Sequence, residues 1–199
     1  TGTLVLSQKI YTQINAFTTL VFSFSVTNPS TPQMPPTLSW SIVSTELMHS
    51  GNLEPDLDSV PAVACAEAGD SAPLSVRTSG VCIKEIAQST PFPGALNTLT
   101  VSLAPTGYLR GSENSKITIT GLTGSQTDDA TLTITDVGST SANVLLGNNA
   151  VWTKTSGKLV ISVANGQTLG AGQLVSFSFQ IINPAPKSSP LPILVSTSG

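Results

Sequence analysis

The opening of this chain recurs near its end. The segment Gly2-Thr-Leu-Val-Leu-Ser7 matches Gly157-Lys-Leu-Val-Ile-Ser162, and Val21-Phe-Ser-Phe-Ser-Val-Thr-Asn-Pro29 matches Ser176-Phe-Ser-Phe-Gln-Ile-Ile-Asn-Pro184. Both matches have the same offset of 155 residues, with no gap between them. A pattern that restarts within one chain is typical of periodic structures rather than of self-contained enzymes. The repeat therefore favours a unit of a larger periodic object.

The repeated segments, and most others, alternate apolar side chains with Ser or Thr. This period of two indicates β-strands with one buried face. Strands are predicted at 3–7, 20–26, 37–43, 98–103, 116–120, 131–135, 158–163, 174–182 and 192–196. Asn-, Pro- and Gly-rich turns separate them, and Ile83–Gln88 is predicted to be at most a short helix. Many short strands with turn-rich separators predict an all-β protein.

The strand pattern predicts two antiparallel, immunoglobulin-like or jelly-roll-like β-sandwich domains in tandem. We place the boundary at Pro91-Phe-Pro-Gly94, giving domains 1–95 and 96–199, with 157–199 repeating the pattern of 2–44. The first domain carries both cysteines and an acidic loop. The alternative is a domain boundary near residue 155. It gives one composite unit, followed by the opening strands of the next unit.

Composition excludes several classes of partner. Only 10% of the residues are charged and the net charge is −3, with eight scattered Lys and Arg. Binding of a phosphate backbone needs clustered basic residues, so no nucleic-acid partner is expected. No apolar run approaches the ~18 residues of a membrane span. A low-charge, hydroxyl-rich surface is instead suited to dense packing or to attached sugar.

Cys65 and Cys82 are the two cysteines of the chain, with 16 residues between them. An even pair in a Thr-rich β chain favours a disulfide, and two buried thiols are the alternative. Closing a loop of this size contributes on the order of 3 kcal/mol. The pair is also consistent with an extracellular or cell-surface location, where disulfides persist.

Catalytic and metal-binding signals are weak. His49 is the one histidine, and no Gly-x-Ser-x-Gly nucleophile motif is present, so we expect neither an enzyme nor a cofactor. Glu54, Asp56 and Asp58 lie within five residues and form a weak candidate for Ca²⁺. They lack the spacing of an EF-hand, so the pattern favours a solvated acidic loop.

The two tryptophans and the N-terminal strand have structural interpretations. Trp40 shares a strand face with Leu38 and Ile42, which predicts a core position, and Trp152 is expected near a seam between modules. If 157–199 begins a module, its three strands leave an open edge that another strand can join. The predicted donor is the short strand made of Thr3, Leu4, Val5, Leu6 and Ser7.

Three segments resemble a known class of protein. Ser115–Thr127 and Val151–Ser162, followed by Phe177–Pro184, are similar to motifs in tandem-repeat extracellular proteins of microalgae and other protists. The resemblance implies repeated sandwich modules with a secreted structural role, as in mastigonemes, cell-wall fibres or glycosylated surface filaments. A weaker likeness is to biofilm-fibre subunits of the TasA type, which join by donor strands. Neither resemblance implies a catalytic residue.

Two Pro-rich loops occupy equivalent positions in the repeat. Mixed Pro and Ser or Thr is the composition of O-glycosylated, polyproline-like segments, although stiff interstrand loops have the same composition. The resemblance to algal proteins also implies hydroxyproline glycosylation. The candidate positions are Pro29, Ser30, Thr31, Pro32, Pro35, Pro36, Pro184, Pro186, Ser188, Ser189, Pro190 and Pro192.

These features predict a structural subunit of an extracellular, glycosylated filament. The predicted partners are other copies of the chain, joined head to tail by β-strand complementation or as tandem covalent repeats, and covalent glycans. The alternative is a carbohydrate-binding or adhesin module that uses the tryptophans, Tyr108 and the acidic loops.

Overall fold

The computed structural model describes residues 2–8, 14–15, 18–43, 48–54, 57–58, 65–185 and 192–199. Within these ranges the chain is almost entirely β-structure. The strands are β1 Leu38–Val43, β2 Met48–Leu53, β3 Val81–Gln88, β4 Leu96–Pro105, β5 Leu109–Arg110, β6 Lys116–Thr120, β7 Ala130–Thr133, β8 Thr135–Asp136, β9 Asn149–Thr153, β10 Lys158–Ser162, β11 Thr168–Leu169, β12 Val175–Ile182 and β13 Leu194–Ser198. A 3₁₀ turn spans Gly111–Glu113, and α1 spans Ala142–Leu145.

Two antiparallel sheets form a sandwich. One has the strand order β13-β6-β10-β9-β7, and the other has the order β3-β4-β12-β8. Alternate side chains of both sheets point into one hydrophobic core, as the period-two pattern predicts. The all-β prediction is therefore confirmed, with β-sandwich architecture in residues 81–198.

The core contains the largest side chains of the inner strands. Phe177 and Phe179 of β12 pack in one cluster with Ile117 of β6 and Leu159 of β10. Trp152 of β9 is fully buried in the same cluster, and its Nε1 donates a hydrogen bond to the Thr127 carbonyl at 3.0 Å. Trp152 is thus a core residue of this sandwich. Because its indole N–H is shielded from water, it needs a hydrogen-bond acceptor within the protein.

One chain segment joins the two sheets at their margin. β7 pairs with β9 in the first sheet, whereas β8, one residue further on, pairs with β12 in the second. Asp136 at the end of β8 accepts hydrogen bonds from the Ala142 amide and the Thr140 hydroxyl, both at 2.9 Å. The Ala142 amide is the main cause that lowers the pKa of Asp136, and partial desolvation opposes it. The carboxylate therefore fixes the connection between β8 and α1.

We expect Asp136→Asn to lower the thermal midpoint at pH 7 because the charged acceptor of these bonds is lost. The folded-state pKa of Asp136 is below the usual value of 3.8, so its stabilising effect is present above pH 3.8 and is lost as the pH falls through the folded value. Thermal melts of both proteins between pH 7 and pH 2 measure this. A midpoint difference that does not shrink below pH 3.8 would contradict the role of the charge.

The described residues before β3 lie outside the core. β1 and β2 form a hairpin in which Leu38 faces Leu53, and Gln33 forms an isolated antiparallel bridge with Val76. Trp40 of β1 is 37% exposed and packs edge-on against His49 of the partner strand. The predicted core position of Trp40 is wrong, because nothing in this hairpin belongs to the buried cluster.

One further local prediction differs from the structure. Ile83–Gln88 is part of strand β3 rather than a helical turn, because pairing with β4 satisfies its backbone groups. The predicted boundary after residue 95 falls between β3 and β4, which are neighbours in one sheet. The sandwich formed by the second predicted domain thus includes a strand from the first. The division into two sandwiches stays a prediction.

Candidate functional site

The C-terminal copy of the repeated segment supplies inner strands of the sandwich. Residues 158–162 form β10 and residues 175–182 form β12, each flanked by strands on both sides. β13, at residues 194–198, then covers the edge of β6. The described strands of the copy at 157–199 are therefore part of this sandwich, and the idea that the copy begins a further module stays a prediction.

The N-terminal copy has the same sequence pattern but a different environment. In the described parts of residues 2–32, no residue belongs to a β-strand. Phe22 is 57% exposed, whereas its counterpart Phe177 is fully buried. The Phe22 and Phe24 rings contact each other at 6.3 Å between centroids, but neither belongs to the core cluster. The predicted donor residues Thr3, Leu4, Val5, Leu6 and Ser7 are likewise exposed and outside any strand.

The offset of 155 residues relates seven exposed apolar residues of the N-terminal copy to buried ones. The exposed residues share large, apolar side chains on one face of a strand pattern, and each counterpart has at most 6% exposure. The pairs are Leu4 with Leu159, Leu6 with Ile161, Ile14 with Leu169, Leu20 with Val175, Phe22 with Phe177, Phe24 with Phe179 and Val26 with Ile181. These seven residues of the N-terminal copy thus have the side-chain pattern of core strands but lie outside the core cluster.

Gly157 shows why a glycine begins this repeat. Its φ is +56°, and a Cβ at this position would lie 2.4 Å from the Thr123 nitrogen and 2.5 Å from the Leu122 carbonyl carbon. Its carbonyl accepts a hydrogen bond from the Leu122 amide at 3.1 Å. Backbone approaches this close exclude a side chain. A Cβ on Gly2, the counterpart, would meet nothing within 4 Å.

Asn183 ends the repeated strand and closes the sandwich at one end. Its Oδ1 accepts from Asn97 Nδ2 at 2.8 Å, and its Nδ2 donates to the carbonyls of Thr90 and Phe92 at 3.0 and 2.9 Å. Asn183 is 8% exposed, so these bonds are protected from water. Its counterpart Asn28 is exposed. The sequence predicts a turn at each Asn-Pro pair, and the repetition of the pair at the offset of 155 residues is the signal that indicates a further role.

The candidate glycan positions lie on or near the surface where they are described. Ser30, Thr31, Pro32 and Pro192 are exposed, and Pro29, Pro35, Pro36 and Pro184 are half-buried. The positions Pro186, Ser188, Ser189 and Pro190 lie outside the described residues. Glycosylation of these loops stays a prediction.

The acidic loops give no metal centre in the described ranges, where no group of three or more Asp, Glu, His or Cys side chains could hold an ion. Glu54 and Asp58 are exposed, and Asp56 lies outside the described residues, so the calcium site stays a prediction. Asp128 forms an ion pair with Lys154 at 2.8 Å, and this contact lowers the pKa of Asp128. The Asp128 carboxylate thus takes part in a structural ion pair.

Cys65 and Cys82 form a disulfide, as predicted, with their Cα atoms 5.9 Å apart. The bridge ties the segment before β3 to β3 itself. Arg77 lies within this loop and forms ion pairs with Glu67 and Asp70. The loop is thus held by one covalent bond and by exposed ion pairs, which are individually weak.

We expect reduction of the disulfide to raise amide exchange in residues 67–80 while the core strands stay protected. The reason is that the closed loop contributes no residue of the main hydrophobic cluster, and its weak ion pairs cannot replace a covalent closure. Hydrogen exchange with and without reductant measures this, and Cys65→Ser/Cys82→Ser provides the matched control. Equal loss of protection in β4 and β12 would show that the bridge holds the whole sandwich.

An exposed aromatic ring, that of Tyr108, lies beside a basic side chain on the surface of the sandwich. Tyr108 is exposed, and the Arg110 guanidinium lies 5.2 Å from its ring centroid.

Of the described helices, none is long and apolar enough to cross a membrane. Comparisons of the chain with protein-family models, with curated proteins and with solved structures find no match.

Proposed function

We propose that this chain is a structural subunit of an extracellular, glycosylated filament. Its subunits join head to tail through β-strand complementation or as tandem covalent repeats. The observation that carries the proposal is the contrast between the two copies of the repeat. The C-terminal copy supplies core strands, whereas the described residues between 2 and 32 expose the same apolar face outside any β-strand.

Physical chemistry supports an assembly role for the exposed copy. Large apolar side chains that alternate along an extended segment gain free energy when they leave water, by about 1.5–3 kcal/mol for each fully buried residue. Unpaired backbone groups of such a segment also gain partners by joining a sheet. An exposed patch of this kind in a protein is typical of an interaction site.

The position of the exposed copy favours a fibre over a closed oligomer. A contact between the N-terminal part of one subunit and the sandwich of the next uses two different surfaces, so it is heterologous. Heterologous contacts form an open chain of subunits unless the rotation between successive subunits closes a ring. The low charge of the chain reduces repulsion between stacked subunits.

Electron microscopy and light scattering of the purified chain test the proposal. We expect fibres at high protein concentration, and a monomer when residues 1–9 are deleted or when Phe22→Ser and Phe24→Ser are combined. Val144→Ser is the matched control, because Val144 is an exposed apolar residue outside the repeated segment. Dispersed monomers at every concentration, or unchanged assembly of the Phe22/Phe24 variant, would contradict the proposal.

A carbohydrate-binding module is the second candidate. It is favoured by the exposed Tyr108 ring beside Arg110 and by the partly exposed indole of Trp40, since exposed aromatic rings can stack on sugars. A glycan-binding screen of the wild-type chain and of Tyr108→Ala separates the candidates. Binding that is lost in Tyr108→Ala, without any assembly of the wild type, would favour the module.

A further inference from the structure

We propose that the free edge of β13 in a second copy of this chain accepts residues 3–7, the donor segment, as an added β-strand. The inference rests on the proposed function, and it specifies which segment donates the strand and which edge receives it. The added strand extends the sheet β13-β6-β10-β9-β7 and displaces none of its strands. The receiving surface is the unpaired side of β13 together with a cavity between β13 and β3.

Among the four edge strands of the described sandwich, β13 is the one without a feature that hinders pairing. Natural edge strands are protected by bulges, by charged side chains or by being very short. β3 has a bulge between Val81 and Ile83 and carries Lys84. β8 has two residues, and β7 has four and directly follows Asp129. β13 has five residues, and none of them is charged, proline or glycine, so its free edge can pair with a further strand.

The donor segment matches β13 in length, charge and side-chain pattern. Both have five residues, and neither contains a charged side chain. Val195 of β13 is half-buried, whereas Leu194 is 66% exposed and lies on the opposite face of the strand. An added strand that turns Leu4 and Leu6 inward places Val5 on the same outer face as Leu194. The two exposed residues then become cross-strand neighbours, which stabilises the pairing.

A cavity of about 200 Å³ between β3 and β13 leads from the surface to the core. Its lining includes Ile193, which is 37% exposed, and the buried side chains of Val101 and Ile119. An apolar cavity of about 150 Å³ accommodates a benzene ring, so this cavity has room for a leucine side chain. An inward-facing Leu4 or Leu6 of the added strand enters it from the β13 side.

The size of the contact determines its strength. A standard interface uses about 20–30 residues on each side, whereas the added strand supplies five. The exposed rings of Phe22 and Phe24 in the same copy offer further apolar surface to the next subunit. The strand alone therefore binds weakly, and its occupancy depends on the concentration of subunits.

Binding of a peptide to a chain that cannot donate tests the inference. The receiver is the chain without residues 1–9, and the probe is the peptide Thr1–Lys9. At a peptide concentration about ten times the Kd, exchange of the β13 amides that are not bonded to β6 should slow about tenfold. Amides of the edges β3 and β7 should exchange as before. The same peptide with Leu4→Ser and Leu6→Ser is the matched control and should give no protection.

Val195→Phe in the receiver blocks the cavity and leaves the edge in place. Because the new ring fills the space between β3 and β13, we expect the thermal midpoint to be kept and the protection by the peptide to be lost. Val151→Phe is the matched control, since Val151 is exposed on β9, which has a paired strand on each side. Equal protection of β13 in the two variants would overturn the inference.

A peptide that protects β3 or β7 instead of β13, or that protects none of them, would also overturn it. So would protection of β13 in the dilute wild-type chain at a level independent of concentration, because the edge would then be occupied by the N-terminal segment of the same chain. If the peptide protects β13 but the natural chain never forms fibres, the filament proposal fails and the docking edge stands. If fibres form although the peptide leaves β13 unprotected, the filament stands and this docking edge is wrong.

Discussion

Replacing Phe177 by alanine is expected to lower the free energy of unfolding by about 3–5 kcal/mol. Phe177 is completely buried between the two sheets, so truncation removes apolar contacts and leaves a cavity that the close-packed neighbours cannot fill. Phe22→Ala removes the same atoms from the other copy of the repeat. Because Phe22 is mostly exposed, we expect a change within about 0.5 kcal/mol.

Urea unfolding followed by far-UV circular dichroism measures both values in the monomer at low protein concentration. The pair is informative because the two substitutions are chemically identical and differ only in environment. Equal destabilisation by Phe22→Ala and Phe177→Ala would mean that the N-terminal copy is also packed into a core. That result would remove the basis of the assembly proposal.

The second large effect is expected at Gly157. Gly157→Ala should cost about 3 kcal/mol or more, because the new Cβ would overlap backbone atoms of Leu122 and Thr123 and the residue keeps a positive φ. Gly147→Ala is the matched control for the backbone conformation. Gly147 has a φ of +66° but open space around its Cβ position, so this variant should cost about 1 kcal/mol.

Denaturant titrations of Gly157→Ala, Gly147→Ala and Gly2→Ala measure the contact and the conformational strain separately. The difference between the first two gives the cost of the steric contact, and Gly2→Ala should match the wild type in the monomer. A Gly157→Ala variant that is no less stable than Gly147→Ala would show that the turn at Leu122 moves away readily.

Much of the fold follows from local sequence pattern. Alternation of apolar and hydroxyl residues requires strands with one buried face, since only a period of two places those side chains on a single side. The strands at 116–120, 158–162 and 175–182 lie close to their predicted bounds for this reason. The pairing of Cys65 with Cys82 was likewise predicted from their number and spacing, and it is confirmed.

Other features depend on partners distant in sequence. Ile83–Gln88 has no clear alternation, and it becomes a strand because it pairs with β4, which is close in space but is not visible in the local pattern. The Asn97–Asn183 hydrogen bond joins residues 86 positions apart, and no local pattern predicts it. The core environment of Trp152 and the surface environment of Trp40 also depend on which sheets lie nearby.

The sequence by itself determined that the chain carries two copies of one set of strands, because side-chain periodicity and the offset of 155 residues are properties of the chain alone. It could not determine which copy lies in a core, because both have the same propensity. The tertiary structure decided this: strands become buried where neighbouring strands supply hydrogen bonds and apolar contacts, and the body formed by β3 to β9 surrounds the C-terminal copy. The described residues between 2 and 32 form no strand, and their apolar side chains stay exposed.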